Sequence, residues 1–121
     1  MKLLKDNVSV ITGSNNGIGL SILSKFSENS SKIFACYRNM NDKFEKTIKF
    51  LSKKNEVEIY PVKLDLEDEN SIKNAYKEIE KNSPTIDNLI NNAGIIENGI
   101  FQMTSGKNLK KIFEVNFVNT F

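Results

Sequence analysis

Val8-Ser9-Val10-Ile11-Thr12-Gly13-Ser14-Asn15-Asn16-Gly17-Ile18-Gly19 is the stretch on which the fold turns. Its first four residues read as a buried strand, and Leu20, Ile22, Leu23 and Phe26 then mark one face of a helix. A glycine-rich turn between strand and helix presents unpaired backbone N–H groups at the positive end of the helix dipole. Gly13, Gly17 and Gly19 carry no side chain to hold a bulky anion away, so the pattern predicts a pyrophosphate cradle. No Gly-Lys-Ser/Thr follows the loop, which excludes a P-loop NTPase.

Strand and helix signals alternate along the rest of the chain. Ile33-Phe34-Ala35-Cys36-Tyr37 is a continuous apolar run, as expected of a strand covered on both faces. Phe44, Ile48 and Leu51 form a helical stripe with Asn41 as its N-cap. Val57, Ile59, Val62 and Leu64 predict a third strand, and Pro61 within it demands a sheet edge or an irregularity, because proline cannot donate to a ladder. Ile72, Ala75, Tyr76 and Ile79 give a third helix beginning near Asp68 or Asn70. After the turn cluster Asn82-Ser83-Pro84-Thr85 comes a fourth strand, Ile86–Ile90. Leu109, Ile112, Phe113 and Phe117 then predict a fourth helix with a buried apolar face, running to Phe121. The expected fold is α/β, a Rossmann-type doubly wound parallel sheet that ends after the fourth strand and its following helix. The strand order expected is 3-2-1-4, which puts the proline-bearing strand at the edge.

Composition narrows the chemistry. The chain has 121 residues with 17 basic and 15 acidic side chains, a balance that gives no reason for a nucleic-acid or membrane partner. It contains no histidine, which excludes Ser-His and Cys-His nucleophile pairs and any histidine-based metal site; no metal is expected. Cys36 stands alone inside an apolar strand and reads as core filler. No apolar run approaches the roughly 18 residues of a membrane span, and a cytoplasmic protein is the expectation.

Four separated signals together resemble the short-chain dehydrogenase/reductase family over the whole chain. They are Thr12-Gly13-x-x-x-Gly17-Ile18-Gly19, Asp65 within Leu64-Asp65-Leu66, Asn91-Asn92-Ala93-Gly94 directly after the fourth strand, and Asn116 within Phe113–Phe121. The resemblance implies an NAD(P)-dependent oxidoreductase that interconverts a small-molecule carbonyl and its alcohol, with residues 1–121 as its NAD(P)-binding domain. Gly13, Gly17 and Gly19 would leave room for the pyrophosphate, and Ser14, Asn15, Asn16 and Ile18 would offer hydrogen bonds. Asp65 would accept from the adenine amino group and the Leu66 N–H would meet a ring nitrogen; the other reading of Asp65 is an acid at a helix N-terminus. Asn92, Ala93 and Gly94 would touch the ribose of the adenine half and floor the nicotinamide side. For Asn91, an amide that ties neighbouring strands stands beside direct ligand contact. Asn116 resembles the helix asparagine of the family's Asn-Ser-Tyr-Lys set, which bends its helix and holds a water of the proton relay.

Coenzyme choice is read at the end of the second strand, where an acid would bind ribose hydroxyls and repel a 2′-phosphate. Here Tyr37-Arg38-Asn39 stands instead, and a guanidinium can fork onto a phosphate. NADP(H) is therefore favoured, with NAD(H) as the alternative. The family's serine and Tyr-x-x-x-Lys are absent: Tyr60 and Lys63 are one residue too close, and Tyr76 is followed directly by Lys77. The resemblance thus implies the cofactor-binding half of a protein about twice as long, homo-oligomeric in its full-length form. A non-catalytic nucleotide-binding module or truncated pseudoenzyme is the competing reading. A methyltransferase using S-adenosylmethionine shares the glycine loop but calls for an acid where Tyr37-Arg38 stand.

Overall fold

A computed structural model describes residues 3–94 and 105–118. The elements run β1 (Leu4–Ile11), α1 (Gly17–Ser27), β2 (Ser30–Tyr37), α2 (Asp42–Asn55), β3 (Glu58–Lys63), α3 (Glu69–Asn82), β4 (Asn88–Ile90) and α4 (Gly106–Phe113). A π-helical turn, Glu114–Val118, continues α4.

All the strands pair in parallel in the order β3-β2-β1-β4, the expected 3-2-1-4. Pro61 lies opposite Ala35 on β3, which has no strand on its outer edge among the described residues, so its missing N–H costs the sheet nothing. Side chains alternate across each strand, and this pleat divides the core in two. Ile11, Ile33 and Ala35 face Leu23 of α1 and Phe44, Ile48 and Leu51 of α2. Val10, Phe34 and Cys36 face Ala75 and Ile79 of α3 on the other side. Ile11, Ile33, Phe34, Ala35 and Cys36 are fully buried, which is why β2 reads as an unbroken apolar run.

The helix starts follow their caps. The Asn41 side-chain oxygen accepts the Phe44 N–H at 2.8 Å, and Asp68 Oδ1 accepts the Asn70 N–H at 2.9 Å. Several features differ from expectation. β1 begins at Leu4 rather than Val8, its register with β2 shifting between those residues, where Asp6 has φ 66°. β4 starts at Asn88 rather than Ile86, because the Asp87 carboxylate accepts the Val8 N–H at 2.7 Å and ends the ladder there. The expected buried face of α4 is exposed: Leu109, Phe113 and Phe117 are 47%, 58% and 56% accessible, while Val115 is buried. Helical spacing identified an apolar stripe without identifying what covers it. Residues 119–121 of the expected helix lie outside the described residues.

Candidate functional site

The carboxyl ends of β1, β2, β3 and β4 converge on one rim of the sheet, the side on which open α/β sheets bind ligands. Thr12 fastens this rim. Its hydroxyl accepts the Asn92 and Ala93 N–H groups at 3.0 and 2.9 Å and donates to the Ile90 carbonyl at 3.3 Å. The Asn92 amide nitrogen donates to the Thr12 and Gly13 carbonyls at 3.2 and 3.1 Å. The strand tie weighed for Asn91 is thus made by Asn92; Asn91 instead borders an apolar groove beneath α3. The two adjacent amides point to different sides of the strand end, and composition alone does not say which is which.

The glycine loop is tightly packed against this tie. Gly17 opens α1 with φ 54°, a left-handed conformation that suits glycine. A Cβ on Gly19 would overlap the Gly13 carbonyl oxygen and approach the Asn92 amide nitrogen to 2.5 Å, so α1 is seated directly on the end of β1. Ser14 is fully buried, and both its N–H and its hydroxyl donate to the Cys36 carbonyl at 2.9 Å. That side chain anchors the loop to β2. Ile18 is 74% exposed on the outer side of α1, and neither it nor Gly17 borders the crevice described next.

Between loop and strand ends lies a crevice of about 270 Å³. Gly13, Asn15 and Asn16 form one side, Arg38 and Asn39 the end of β2, Asp65 and Leu66 the end of β3, and Asn92, Ala93 and Gly94 the end of β4. Nine of the residues singled out from sequence are therefore brought to one cavity: Gly13, Asn15, Asn16, Arg38, Asp65, Leu66, Asn92, Ala93 and Gly94. A larger groove of about 530 Å³ under α3, lined by side chains such as Val10, Ile79 and Leu89, is chiefly apolar and lacks this convergence of polar groups.

Charge is concentrated at one end of the crevice. Arg38 Nε is 3.8 Å from Asp65 Oδ1, and Arg38 Nη2 is 3.4 Å from Glu67 Oε2. Asp65 Oδ1 also accepts the Glu67 N–H at 3.0 Å, while the Asp65 N–H donates to the Ser71 hydroxyl at 2.9 Å. Lys111 Nζ of α4 reaches Glu67 Oε1 at 3.1 Å. Asn116 lies in the π-helical turn and is exposed, next to the buried Val115. Its Oδ1 would stand 3.0 Å from a Cβ on Gly94, so the turn abuts the end of β4. Val115, beside it, is buried at 4% exposure and borders the crevice.

Thr12, Asn39 and Val115 stand within the motifs read from sequence without an assigned role, and Glu67 and Lys111 lie outside them. Glu67 follows Asp65 by two residues and could have been found as a second acid at the same strand end. Lys111 comes from a distant helix and carries no local signal.

A family profile described as short chain dehydrogenase matches residues 7–121. The 3-oxoacyl-(acyl-carrier-protein) reductase FabG of Buchnera aphidicola subsp. Schizaphis graminum is 32% identical over 121 residues, covering 100% of this chain and 47% of the relative. That of Aquifex aeolicus is 30% identical over 118 residues, covering 98% and 47%. L-Sorbose reductase from Gluconobacter frateurii, solved with NADPH and L-sorbose, superposes with a TM-score of 0.87 at 24% identity, covering 98% of this chain and 45% of that one. An alcohol dehydrogenase from the archaeon Thermococcus sibiricus, solved with 5-hydroxy-NADP, superposes with a TM-score of 0.85 at 25% identity, covering 93% and 48%. The chain spans about half the length of the curated relatives it matches (47%).

Proposed function

The chain belongs to the short-chain dehydrogenase family, and from that premise we propose that it binds a nicotinamide dinucleotide, NADP(H) in preference to NAD(H), in the crevice at the strand ends. The activity it serves is the interconversion of a carbonyl and an alcohol. The observation that carries this reading is the meeting of the Gly13–Asn16 loop, Arg38, Asp65 and Asn92–Gly94 in one cavity at the carboxyl rim of the sheet.

The residues present fit such a group. The loop leaves the rim without bulky side chains, and α1 is held by the contact of Gly19 with Gly13, so its N-terminus is rigidly placed for a diphosphate. Gly13, Asn15 and Asn16 would hold the diphosphate, with Ser14 positioning them through Cys36. Gly17, Ile18 and Gly19 contribute backbone at the head of α1. Asp65 and Leu66 would receive the adenine, Asn92, Ala93 and Gly94 the adjoining ribose and the nicotinamide side, and Arg38 a 2′-phosphate. When bound, the coenzyme supplies or accepts a hydride. Asn116 is assigned to the water of the proton relay; its place in a π-helical turn beside Gly94 supports this, since such turns recur at functional sites. The NADPH and 5-hydroxy-NADP bound to the two solved relatives support the phosphorylated coenzyme.

These 121 residues contain no Tyr-x-x-x-Lys spacing, so binding is the activity to measure. Titration of the purified chain with NADPH and with NADH, followed by calorimetry, is expected to show saturable binding of both with NADPH the tighter. Absence of heat with either coenzyme would remove this reading and favour a rim that serves packing alone.

A further inference from the structure

Glu67 stands between two cations that come from different elements. Its Oε2 lies 3.4 Å from Arg38 Nη2 at the end of β2, and its Oε1 lies 3.1 Å from Lys111 Nζ on α4. The Glu67 side chain is 26% exposed, against 49% for Arg38 and 51% for Lys111, so the carboxylate is the least solvated member of the trio. Asp65 is a different case. Its Oδ1 is tied to the Glu67 N–H at 3.0 Å and is the more distant partner of Arg38, at 3.8 Å. Glu67, on a longer side chain with a second cation in reach, is the carboxylate that can change partners.

On the reading of this crevice as a nicotinamide dinucleotide site, we propose that Glu67 sets the selectivity between phosphorylated and unphosphorylated coenzyme by competing with a ribose phosphate for the Arg38 guanidinium, Lys111 retaining Glu67 when the phosphate takes Arg38. Arg38 and Lys111 carry two positive charges, and Asp65 and Glu67 two negative ones, so the cluster is neutral without ligand. A phosphate monoester adds about −1.5 to −2 at neutral pH, and it enters beside two partly exposed carboxylates, whose repulsion salt weakens. Its best partner is the planar guanidinium, whose donors form paired hydrogen bonds with phosphate oxygens. In the free protein Nη2 faces Glu67 and Nε faces Asp65, so a phosphate that pairs with the Nε–Nη2 edge displaces the Glu67 contact. Lys111 decides how costly the displacement is, because the released carboxylate keeps one cation. The unphosphorylated coenzyme makes no such demand: a ribose hydroxyl can donate to Glu67 or Asp65 as they stand.

The two side chains therefore act in opposite senses, which gives the test its discrimination. Dissociation constants for NADPH and NADH are measured by fluorescence titration on the wild-type chain, Glu67→Gln and Lys111→Gln, at low and high salt. Glu67→Gln is expected to tighten NADPH by roughly three- to fivefold, the scale of a half-exposed ion pair, with no gain for NADH. Lys111→Gln is expected to weaken NADPH by a similar factor, and both effects shrink as salt rises. NADH binding reports in each variant that the chain is folded. An unmoved NADPH-to-NADH ratio in Glu67→Gln, or shifts of the same sign in both variants, overturns the proposal while leaving the coenzyme site intact. Failure of the wild-type chain to bind either nucleotide removes the site, and this inference with it.

Discussion

The Thr12 hydroxyl accepts the Ala93 N–H at 2.9 Å, across the gap between the ends of β1 and β4. The same oxygen takes the Asn92 N–H at 3.0 Å, and Thr12 is only 8% exposed, so water does not readily replace either bond. β4 is three residues long and forms the sheet's other edge, which makes this side-chain staple a large share of what holds it.

Replacing Thr12 with Val keeps the shape and removes the acceptor. The half-buried Ala93 N–H loses this partner and the Asn92 N–H keeps only the Ile90 carbonyl at 3.1 Å, at a cost of about 1 kcal/mol. Urea unfolding of Thr12→Val should show the loss, and Thr12→Ser, which retains the oxygen, should recover most of it. An unfolding midpoint equal to that of the wild type would mean that the staple contributes nothing.

The glycine loop makes an ordered comparison of two substitutions. A methyl group at Gly19 meets backbone oxygen and the Asn92 amide, neither of which can move without disturbing the β1–β4 tie. A methyl group at Gly17 meets open space, and only the φ of 54° opposes it. Gly17→Ala should cost about 1–2 kcal/mol from the left-handed backbone alone. Gly19→Ala should cost about 3 kcal/mol by overpacking and abolish NADPH binding. Thermal or urea unfolding ranks the two, and the reverse order would contradict the packing of α1 on β1.

Much of this architecture is legible in the chain because its strands are buried on both faces. Ile33–Tyr37 is uniformly apolar since Ile33 and Ala35 serve one half of the core and Phe34 and Cys36 the other. Pro61 announces an edge, and the edge is where β3 lies. Lys5, Asp6 and Asn7 conceal the first half of β1, because a strand that shifts register around a residue at φ 66° has no period to read. The apolar stripe of α4 is legible as a stripe and misleading as a buried face, since hydrophobic spacing specifies an orientation and not a partner. At the site, the motif residues locate the rim, but the contact of Glu67 with Arg38 and Lys111 arises only when three elements meet, and no local pattern encodes it.

Arg38 is the residue on which coenzyme preference is expected to rest. Its guanidinium borders the crevice and is nearly half exposed, at 49%, so a phosphate can reach it without unfolding the rim. Arg38→Gln removes the charge and the forked donors while keeping a polar side chain of similar length. NADPH should bind about tenfold more weakly, the scale of a charge-assisted hydrogen bond, and NADH should be nearly unaffected. Equal weakening of both coenzymes in calorimetric titration would assign Arg38 to the fold of the rim instead.

Cys36 provides a pH signature of the core. Burial, with a smaller contribution from the Glu78 charge, pushes its thiol from the usual 9.0 up to about 12. Folded and unfolded chains both hold the proton at neutral pH, so the thiol has no pH-dependent effect there. Above about pH 9 the unfolded thiol ionises while the folded one does not, and native stability falls by up to about 1.4 kcal/mol per pH unit until the folded value is reached. Cys36→Ala lacks this term and opens a small void instead, which costs about 1 kcal/mol at any pH. The stability gap between wild type and Cys36→Ala, measured by urea unfolding, should therefore narrow by about 1 kcal/mol between neutral pH and about pH 10. The same burial should leave the native thiol unreactive toward an aromatic disulfide reagent at neutral pH and fully reactive in denaturant. A constant gap across that range, or rapid labelling of the native chain, would place Cys36 in contact with solvent and contradict its position between β2 and α3.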